Sequence, residues 1–470
     1  MIRSPRPVWC LALGLGAAVG GGCQSGYRDF AQQLDQRVAA GDFAGAAQLA
    51  AARAERAAGD RNNRVVYNLE AARAAQMAGD LEASRDFFGR VHADVRPFLD
   101  TKAEDRVSQA VTTTVVNQTA SAFIGTPVDR IMATALNAIN QMGVGDLEEA
   151  RVQLNLTREW QEEAVRRLGG GGAAQTGDLE DEARRQGVGV DADRVDGIMA
   201  THFAELADLR ADSEFRNPFA SHLRGVFLLA TAADPADTER ARFELRQVLS
   251  MEPDALPAVG PDLDRIEQGL GSAPTVWIYV MAGRGPWLEE FRLDLPIPFG
   301  NVNYVSAAFP RLRFHDDWIG GVSVTADGTE SAAVLLADVD AMVGAEFKAR
   351  LPRIIMQEIL SSALKAGATY AIRDEAGGWG QLIGILYQAF STAADTRMWR
   401  TLPKRILLAR VPTPADGLLT ARYDGVSEAI RVEPGRSHII VLTVPHAGVR
   451  QPSVVRAALT PARIGQETSP

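Results

Sequence analysis

Residues 274–281 read Pro-Thr-Val-Trp-Ile-Tyr-Val-Met, and the periodicity of the whole chain changes at this stretch. Stretches rich in β-branched and aromatic residues are typical of strands, and two more follow at 289–295 and 304–314. Before residue 274 the apolar residues recur at helical spacing instead. The sequence therefore predicts helices up to about residue 270 and a mixed region after it.

The region after residue 274 combines strands with helices. Apolar residues at helical spacing predict a helix over 335–371, which Pro352 either kinks or divides into two. Strand patterns return at 406–411, 418–423, 429–432 and 437–444. We expect a multidomain protein in which an all-α region precedes an α+β domain. This domain would have a mostly antiparallel sheet and two or three helices, and its first and last strands would share the sheet.

Gly-Asp pairs punctuate the helical region. Gly can end one helix and Asp can cap the next, so each pair predicts a helix hairpin, at Gly41-Asp42, Gly79-Asp80 and Gly145-Asp146. Five residues after each Gly stands a small residue: Ala46, Ser84 and Ala150. This spacing favours stacked hairpins like those of tetratricopeptide repeats. Most of the Trp and Tyr consensus positions are missing, so a non-repeating helical bundle is the alternative.

These patterns divide the chain into six segments. We predict a signal peptide (1–22), helical repeats (23–167), a flexible Gly-rich linker (168–195), a continuation of the helical domain (196–270), an α+β domain (271–450) and a disordered tail (451–470). A hydrophobic content of 46% over 470 residues excludes a chain that is disordered over its whole length. It is enough for two or three domains, each with its own hydrophobic core.

The charge balance argues against nucleic-acid binding. The chain carries 49 basic and 59 acidic side chains, a net charge of −10, which repels phosphate backbones.

The amino terminus resembles a lipoprotein signal. Arg3 and Arg6 precede the apolar stretch Val8–Val19, and Gly20-Gly21-Gly22-Cys23 follows. The resemblance implies that Cys23 is acylated and becomes the new N-terminus, although Gly20 stands where such signals usually have Leu. Acyl chains on Cys23 would anchor the protein stably in a membrane. Gln24, which is not Asp, implies the outer membrane, facing the periplasm. A cleaved signal with an incidental cysteine is the alternative.

Residues able to carry chemistry are sparse. The only other cysteine, Cys10, lies inside the predicted signal, so disulfides and a Cys–His pair are excluded. We find no phosphate-binding Gly-Lys-Ser/Thr loop, no Gly-x-Ser-x-Gly elbow and no His spacing typical of a zinc site. No cofactor is expected. The exception is His315-Asp316-Asp317, where a turn after a strand could gather an imidazole and carboxylates around a cation or a water; solvated turn residues are the alternative.

Two neighbouring stretches are candidates for binding. Residues 376–394 carry no charge, and either a helix buried against the sheet or a surface for a partner or the bilayer would explain them. Residues 395–402 concentrate Arg397, Trp399 and Arg400, the residue types most enriched at binding hot spots. In the alternative, Asp395 pairs with Arg397 while Trp399 fills the core.

The chain resembles a family of uncharacterised bacterial envelope lipoproteins with a tetratricopeptide-like helical half. The resemblance rests on Tyr67 with Leu69-Glu70, Ala78–Ser84, Asp129–Met132, Ala135–Asn137, Asn217–Phe219 and, most specifically, Ala-Asp-Thr-Arg-x-Trp-x-x-Leu-Pro at 394–403. It supplies no catalytic residue. Members tend to be encoded near small lipoproteins that resemble activators of peptidoglycan synthases, which implies a role in envelope assembly.

We therefore expect a lipid-anchored, non-enzymatic adaptor outside the cytoplasm. Its partners would be the membrane lipid, through Cys23, and envelope proteins held by the helical surface. An envelope hydrolase with a site at His315, Asp316 and Asp317 is one alternative. A component of an export or pore assembly is another.

Overall fold

The computed structural model describes residues 22–99, 122–168, 176–207, 215–297, 304–375 and 393–459. An N-terminal helical region precedes a C-terminal region of mostly antiparallel sheets. The helices are α1 (Gly22–Ala39), α2 (Phe43–Arg56), α3 (Arg64–Met77), α4 (Leu81–Leu99), α5 (Pro127–Gly143), α6 (Leu147–Leu168), α7 (Gly177–Gln186), α8 (Ala192–His202), α9 (Pro218–Ala230), α10 (Pro235–Met251), α11 (Leu256–Glu267) and, in the C-terminal region, α12 (Val339–Glu375).

The predicted Gly-Asp boundaries between helices are confirmed. Gly41, Gly79 and Gly145 have positive φ angles of 73°, 84° and 85°, which L side chains adopt only with strain. The following Asp accepts a hydrogen bond from the backbone of the next helix in each case, for example from Gly45 N to Asp42 Oδ1 at 2.9 Å. The small residues after these pairs are fully buried, at Ala46, Ser84 and Ala150. Adjacent helices therefore pack closely at these positions.

Three groups of strands follow the helices. They are β1 (Thr275–Ala282), β2 (Trp287–Leu295), β3 (Val305–Arg313), β4 (Ser323–Ala326), β5 (Thr329–Ala332), β6 (Val334–Asp338), β7 (Arg405–Pro412), β8 (Leu418–Tyr423), β9 (Val426–Arg431), β10 (Ser437–Val444) and β11 (Ser453–Leu459). A five-stranded sheet has the order β11-β10-β1-β7-β6, and a four-stranded sheet has the order β5-β4-β8-β9. Strands β2 and β3 form a separate antiparallel pair. As expected, the first and last predicted strands share a sheet, since β1 and β10 pair in parallel.

The five-stranded sheet is buried on both faces. In β1, Trp277, Tyr279 and Met281 belong to a core shared with the helices, whereas Val276, Ile278 and Val280 belong to a core shared with the four-stranded sheet. Side chains of a strand point alternately to its two faces, which divides the apolar residues of β1 between two hydrophobic layers. The helical region and the main sheet thus share one core.

Polar side chains fix the helices on this sheet. Trp277 Nε1 donates to Asp262 Oδ2 of α11 at 2.8 Å, and Asp262 also pairs with Arg410 of β7 at 2.7 Å. His222 Nδ1 of α9 lies 2.8 Å from the hydroxyl of Tyr279. Burial lowers the pKa of His222 to about 3, so this imidazole stays neutral in the core.

The prediction of a flexible linker over 168–195 is wrong for the part of this segment that the structure describes. Helix α7 occupies Gly177–Gln186, and α8 begins at Ala192. Leu179 and Ala183 are fully buried, because two apolar residues four positions apart lie on one helical face that packs against α12. The sequence patterns missed this short amphipathic helix because most of its residues are charged or polar.

The tail predicted for 451–470 also needs correction. Strand β11 pairs antiparallel with β10, and its alternate residues Val455, Ala457 and Leu459 are buried. The alternation Val, Ala, Leu with Arg456 facing solvent is the pattern of a half-buried edge strand. Residues 460–470 lie outside the described residues.

The helix predicted for 335–371 begins later than expected. Residues 334–338 form β6, and the helix starts at Val339, where Asp338 Oδ1 accepts from Ala341 N at 3.0 Å. The helix continues through Pro352 without interruption. The sequence patterns also missed the short strands β4 and β5.

Several predictions fall on residues that the structure does not describe. Residues 1–21 and the side chain of Cys23 are among them, so the signal and its acylation stay predictions. The same holds for most of the uncharged stretch, residues 376–392. Within the described ranges, every helix is too short or too polar to cross a bilayer.

Candidate functional site

Arg397, Trp399 and Arg400, predicted as a binding hot spot, lie on a segment clamped between the N-terminal helices and the main sheet. We call residues 395–403 the strap. Trp399 is fully buried, donates from Nε1 to Thr401 Oγ1 at 2.9 Å and packs edge-on against Phe88, with ring centroids 6.1 Å apart. Its side chain therefore belongs to the core and is inaccessible to a partner of the folded chain.

The two arginines of the strap are held by partners within the chain. Arg397 is 6% exposed, and its guanidinium makes a two-point contact with Asp395, at 2.9 and 2.6 Å, as the alternative interpretation expected. It also donates to the carbonyl of Asn62 at 2.7 Å. Arg400 pairs with Asp35 of α1. The hot-spot composition thus marks an interface inside the molecule.

Glu70 of α3 is the principal acceptor for the strap. Its carboxylate accepts from the backbone N–H of Arg400 at 2.8 Å, and from the backbone and hydroxyl of Thr401 at 3.2 and 2.7 Å. Burial raises the pKa of Glu70 to about 7, and it raises the pKa of the nearby Asp35 to about 6. These carboxylates stabilise the strap through directed hydrogen bonds while burial penalises their charge.

The His315-Asp316-Asp317 turn does not assemble a hydrolytic centre. Asp317 is bound to Arg284 with both oxygens 3.0 Å from Nη2, and His315 Nδ1 lies 4.0 Å from Asp317, beyond hydrogen-bond distance. Burial and the Arg284 charge lower the pKa of His315 to about 4, and its ring packs against Trp287 at 4.3 Å. Asp316 is exposed. Among the described residues, moreover, no group of three or more His, Cys, Asp or Glu could hold a metal ion.

A groove of about 820 Å³ opens beside the strap. Its walls are the beginning of α5, the end of α6, the β2–β3 pair, α12 and the strap. The apolar part of the lining is formed mainly by Phe123, Leu288, Val343, Phe347, Ile354 and Met398. Among the residues that the structure describes, the charged part of the lining has five arginines, Arg130, Arg167, Arg350, Arg353 and Arg397, and two carboxylates, Glu346 and Asp395. We call this the arginine groove.

The beginning of α5 organises one wall of the groove. Thr126 and Asp129 form a capping box, with distances of 3.1 and 2.8 Å, and Glu346 of α12 accepts from Val128 N at 3.0 Å. Burial, and to a smaller extent the charge of Glu346, raise the pKa of Asp129 to about 7. The positive end of the helix dipole is therefore already matched by carboxylates of the chain.

The arginines of the groove differ in burial. Arg130 is 6% exposed, its Nη1 donates to Gly125 O at 3.0 Å, and its guanidinium lies 5.3 Å from the Trp160 ring. Arg350 and Arg353 are more open, with 44% and 27% of their side chains exposed, and pair with Glu346 and Asp178. Arg167 pairs with Glu163 on the opposite wall. The open arginines form the rim of the groove.

A second cavity of about 270 Å³ adjoins the arginine groove, since Pro127 and Leu168 line both. Its lining is mostly apolar and includes Ile131, Ala164, Met251, Leu335, Ala341 and Met342. We call it the apolar cavity. Phe215, also in the lining, has φ +64°, a conformation that is strained for a bulky residue and that recurs at functional sites.

Sequence reasoning found one wall of this site and missed the rest. Arg397 was singled out as a binding residue, and it lines the groove although it is buried. Arg130, Arg167, Arg350 and Arg353 come from three helices separated by long stretches, so no local pattern unites them. The only available signal was the i, i+3 pair of arginines in α12.

Comparison with known proteins gives no further guide, because no family model, curated protein or solved structure matches the chain.

Proposed function

We propose that this chain is an acyl-anchored protein outside the cytoplasm that acts as a non-enzymatic adaptor and holds a segment of a partner protein in the arginine groove. The observation that carries the proposal is the groove itself, a cleft of about 820 Å³ whose lining combines apolar side chains with arginines. Apolar area supplies affinity and arginine supplies directional donors, which together characterise protein-recognition sites.

The position of the groove relative to Cys23 supports an anchored adaptor. The hydroxyl of Tyr27 donates to the carbonyl of Met398 and accepts from its N–H at 3.2 Å, and Met398 lines the groove. Tyr27 follows Cys23 by four residues within α1, a rise of about 6 Å along the helix. An acylated Cys23 would keep the strap, and with it the groove, close to the membrane surface.

The finer interpretations of the sequence belong to this proposal. The helix hairpins would form a tetratricopeptide-like stack. The acylated Cys23 would anchor the protein in the outer membrane, on the side that faces the periplasm. The resemblance to envelope lipoproteins favours a role in envelope assembly linked to peptidoglycan synthesis.

Site-specific photocrosslinking in cells tests the proposal. A photoreactive amino acid such as p-benzoylphenylalanine replaces Ile354, which is half-buried in the groove. In the matched control it replaces Phe243, which is 60% exposed on α10. We expect one discrete protein adduct from position 354, absent from position 243 and lost when Arg350→Glu and Arg353→Glu are added. Identical products from both positions would refute a partner site in the groove.

A fractionation experiment tests the anchor separately. Cys23→Ser removes the thiol that would be acylated, so we expect the protein to leave the membrane fraction and to lose the label of a fed fatty acid. Membrane retention without label in both forms would contradict the anchor while leaving the groove proposal standing.

A further inference from the structure

We infer that a halide ion, chloride under natural conditions, binds in a small cavity beside the strap and balances the charge of Arg73. This inference is independent of the proposed function, because the cavity and the arginine groove share no lining residue among those that the structure describes. Its basis is a buried guanidinium, the unpartnered donors around it and the size of the cavity.

Arg73 carries its charge in the core of the protein. It lies on α3, is 1% exposed and is among the largest fully buried side chains. Its Nη1 donates to Gln76 Oε1 at 2.6 Å and its Nη2 donates to Thr443 Oγ1 at 3.0 Å. Both acceptors are neutral, so they solvate the guanidinium without supplying an opposite charge.

The groups around Arg73 on the helical side are neutral as well. Gln76 donates to Asn140 Oδ1 at 2.6 Å, and Asn140 donates to Ser84 Oγ at 2.7 Å. Glu70, one turn earlier on α3, directs its carboxylate to the strap. Burial alone lowers the pKa of Arg73 to about 10, and no carboxylate among the described residues opposes this shift. A buried charge without a counter-charge is costly, which favours the binding of an anion.

A cavity of about 10 Å³ adjoins Arg73 where α1, α3, the strap and the C-terminal ends of β1 and β10 meet. A cavity of roughly 10–15 Å³ is needed for a single water. Chloride is only slightly larger than water, so a small shift of the surrounding side chains admits it. Sulfate, phosphate and carboxylates are much too large. The size therefore selects a halide among the common anions.

The charged side chains of the cavity lining leave Arg73 as the surplus charge. Among the described residues this lining has three arginines, Arg73, Arg284 and Arg400, and one carboxylate, Asp35. Arg400 pairs with Asp35, and Arg284 is bound by Asp317, with both oxygens 3.0 Å from Nη2. Both of these arginines are thus compensated by the chain. One monovalent anion would compensate the third.

Unpartnered donors favour an anion over a water molecule. The Nε atoms of Arg73, Arg284 and Arg400 are all buried, and each is without a hydrogen-bond partner in the part of the chain that the structure describes. Three N–H donors therefore remain in the walls of one cavity. A halide accepts hydrogen bonds from several donors and donates none, whereas a water must also find acceptors.

The ion would join the strap to the rest of the protein. Arg400, Thr401, Leu402 and Pro403 of the strap line the cavity opposite α3. Arg284 and Arg400 remain 19% and 17% exposed, which gives an ion from solvent a route to the cavity. Because the site exists only in the folded chain, occupancy stabilises the fold and the stabilisation grows with halide concentration.

Thermal unfolding in different sodium salts tests the inference. The full chain, purified in a mild detergent, is heated in chloride, bromide or gluconate at a constant ionic strength of about 0.3 M, which keeps screening equal. The buffer is at about pH 6, where Glu70, with a pKa of about 7, is mainly neutral and cannot compensate Arg73. Gluconate is too large for the cavity. We expect the midpoint to be at least about 2 °C higher in chloride and bromide than in gluconate.

Variants connect this difference to Arg73. Arg73→Met removes the charge and should abolish the difference between chloride and gluconate. The variant should fold, because an apolar residue often replaces a buried ion without loss of stability. The matched control is Arg224→Met with Glu244→Gln. Arg224 is also buried, at 6% exposure, but pairs with Glu244 at 2.6 Å, so the difference should persist in this control.

Crystals of the unsubstituted protein grown with bromide give a result that no variant affects. We expect an anomalous-scattering peak in the cavity, in contact with the Arg73 guanidinium. Equal midpoints in chloride and gluconate, a difference that Arg73→Met leaves unchanged, or a cavity that holds only water would each overturn the inference. Bromide in the crystal without a halide effect on unfolding would show binding at crystal concentration only and would also refute it.

Discussion

Replacing Trp399 by Ala should destabilise the protein strongly, because its indole is among the largest fully buried side chains. Trp→Ala in a core costs about 3–5 kcal/mol from lost transfer energy and the cavity left behind. The hydrogen bond from Nε1 to Thr401 Oγ1, at 2.9 Å, is lost as well, which adds about 1 kcal/mol. We expect the free energy of unfolding to fall by about 4–6 kcal/mol.

Urea denaturation followed by circular dichroism measures this loss. With a dependence of about 3 kcal/mol per M, the midpoint of urea denaturation should fall by about 1.3–2 M. Trp399→Phe keeps most of the apolar volume and should cost less than half as much. Phe243→Ala, at a side chain that is 60% exposed, is the matched control and should stay within about 0.5 kcal/mol. If Trp399→Ala shifts the midpoint no further than Phe243→Ala, the strap is not part of the core and our account of it is wrong.

Three further predictions concern the other buried features. Burial raises the pKa of Glu70 from 4.5 to about 7, so the folded protein binds more protons than the unfolded chain between these values and stability falls as the pH rises through them. Glu70→Gln should reduce the loss of unfolding free energy between pH 4 and pH 8 by about 3 kcal/mol, measured by denaturation at both pH values; an unchanged difference would contradict the shift. Leu179→Ala should cost about 3 kcal/mol in urea denaturation because Leu179 is fully buried on α7, whereas a linker would lose less than 0.5. Val455→Asp should cost several kcal/mol by placing a charge under β11, while Arg456→Asp on the exposed side should have little effect; equal effects would refute the strand.

The elements of the fold that the sequence predicted correctly are those determined by residues adjacent in the chain. The Gly-Asp pairs mark helix boundaries because positive φ and an Asp cap are properties of adjacent residues. The change of period at Pro274 locates the first strand for the same reason. The sequence patterns missed strand β11 because only three of its buried residues are apolar and a polar stretch follows them. They missed α7 because only Leu179 and Ala183 reveal its buried face. Such weak patterns need the neighbouring layer to be recognised.

The hot-spot composition of the strap illustrates a limit of a different kind. Trp and Arg are enriched at interfaces because they bury area and keep directional donors, and both properties serve equally when the two surfaces belong to one chain. The strap meets α1, through Asp35, and α3, through Glu70, across more than 300 residues of sequence. Nothing in residues 395–402 themselves distinguishes that internal interface from an external one.

The strap forms part of the arginine groove, so its stability also bears on the proposed binding. Asp395, Arg397 and Met398 form one wall of the groove, and the contacts of Arg397 with Asp395 and Asn62 hold that wall rigidly. A preformed wall lowers the entropy that a ligand must lose on binding. Substitutions at Trp399 or Glu70 should therefore weaken groove binding without touching the ligand. For this reason, a strap substitution that weakens ligand binding identifies a residue in contact with the ligand only if the free energy of unfolding of that variant is unchanged.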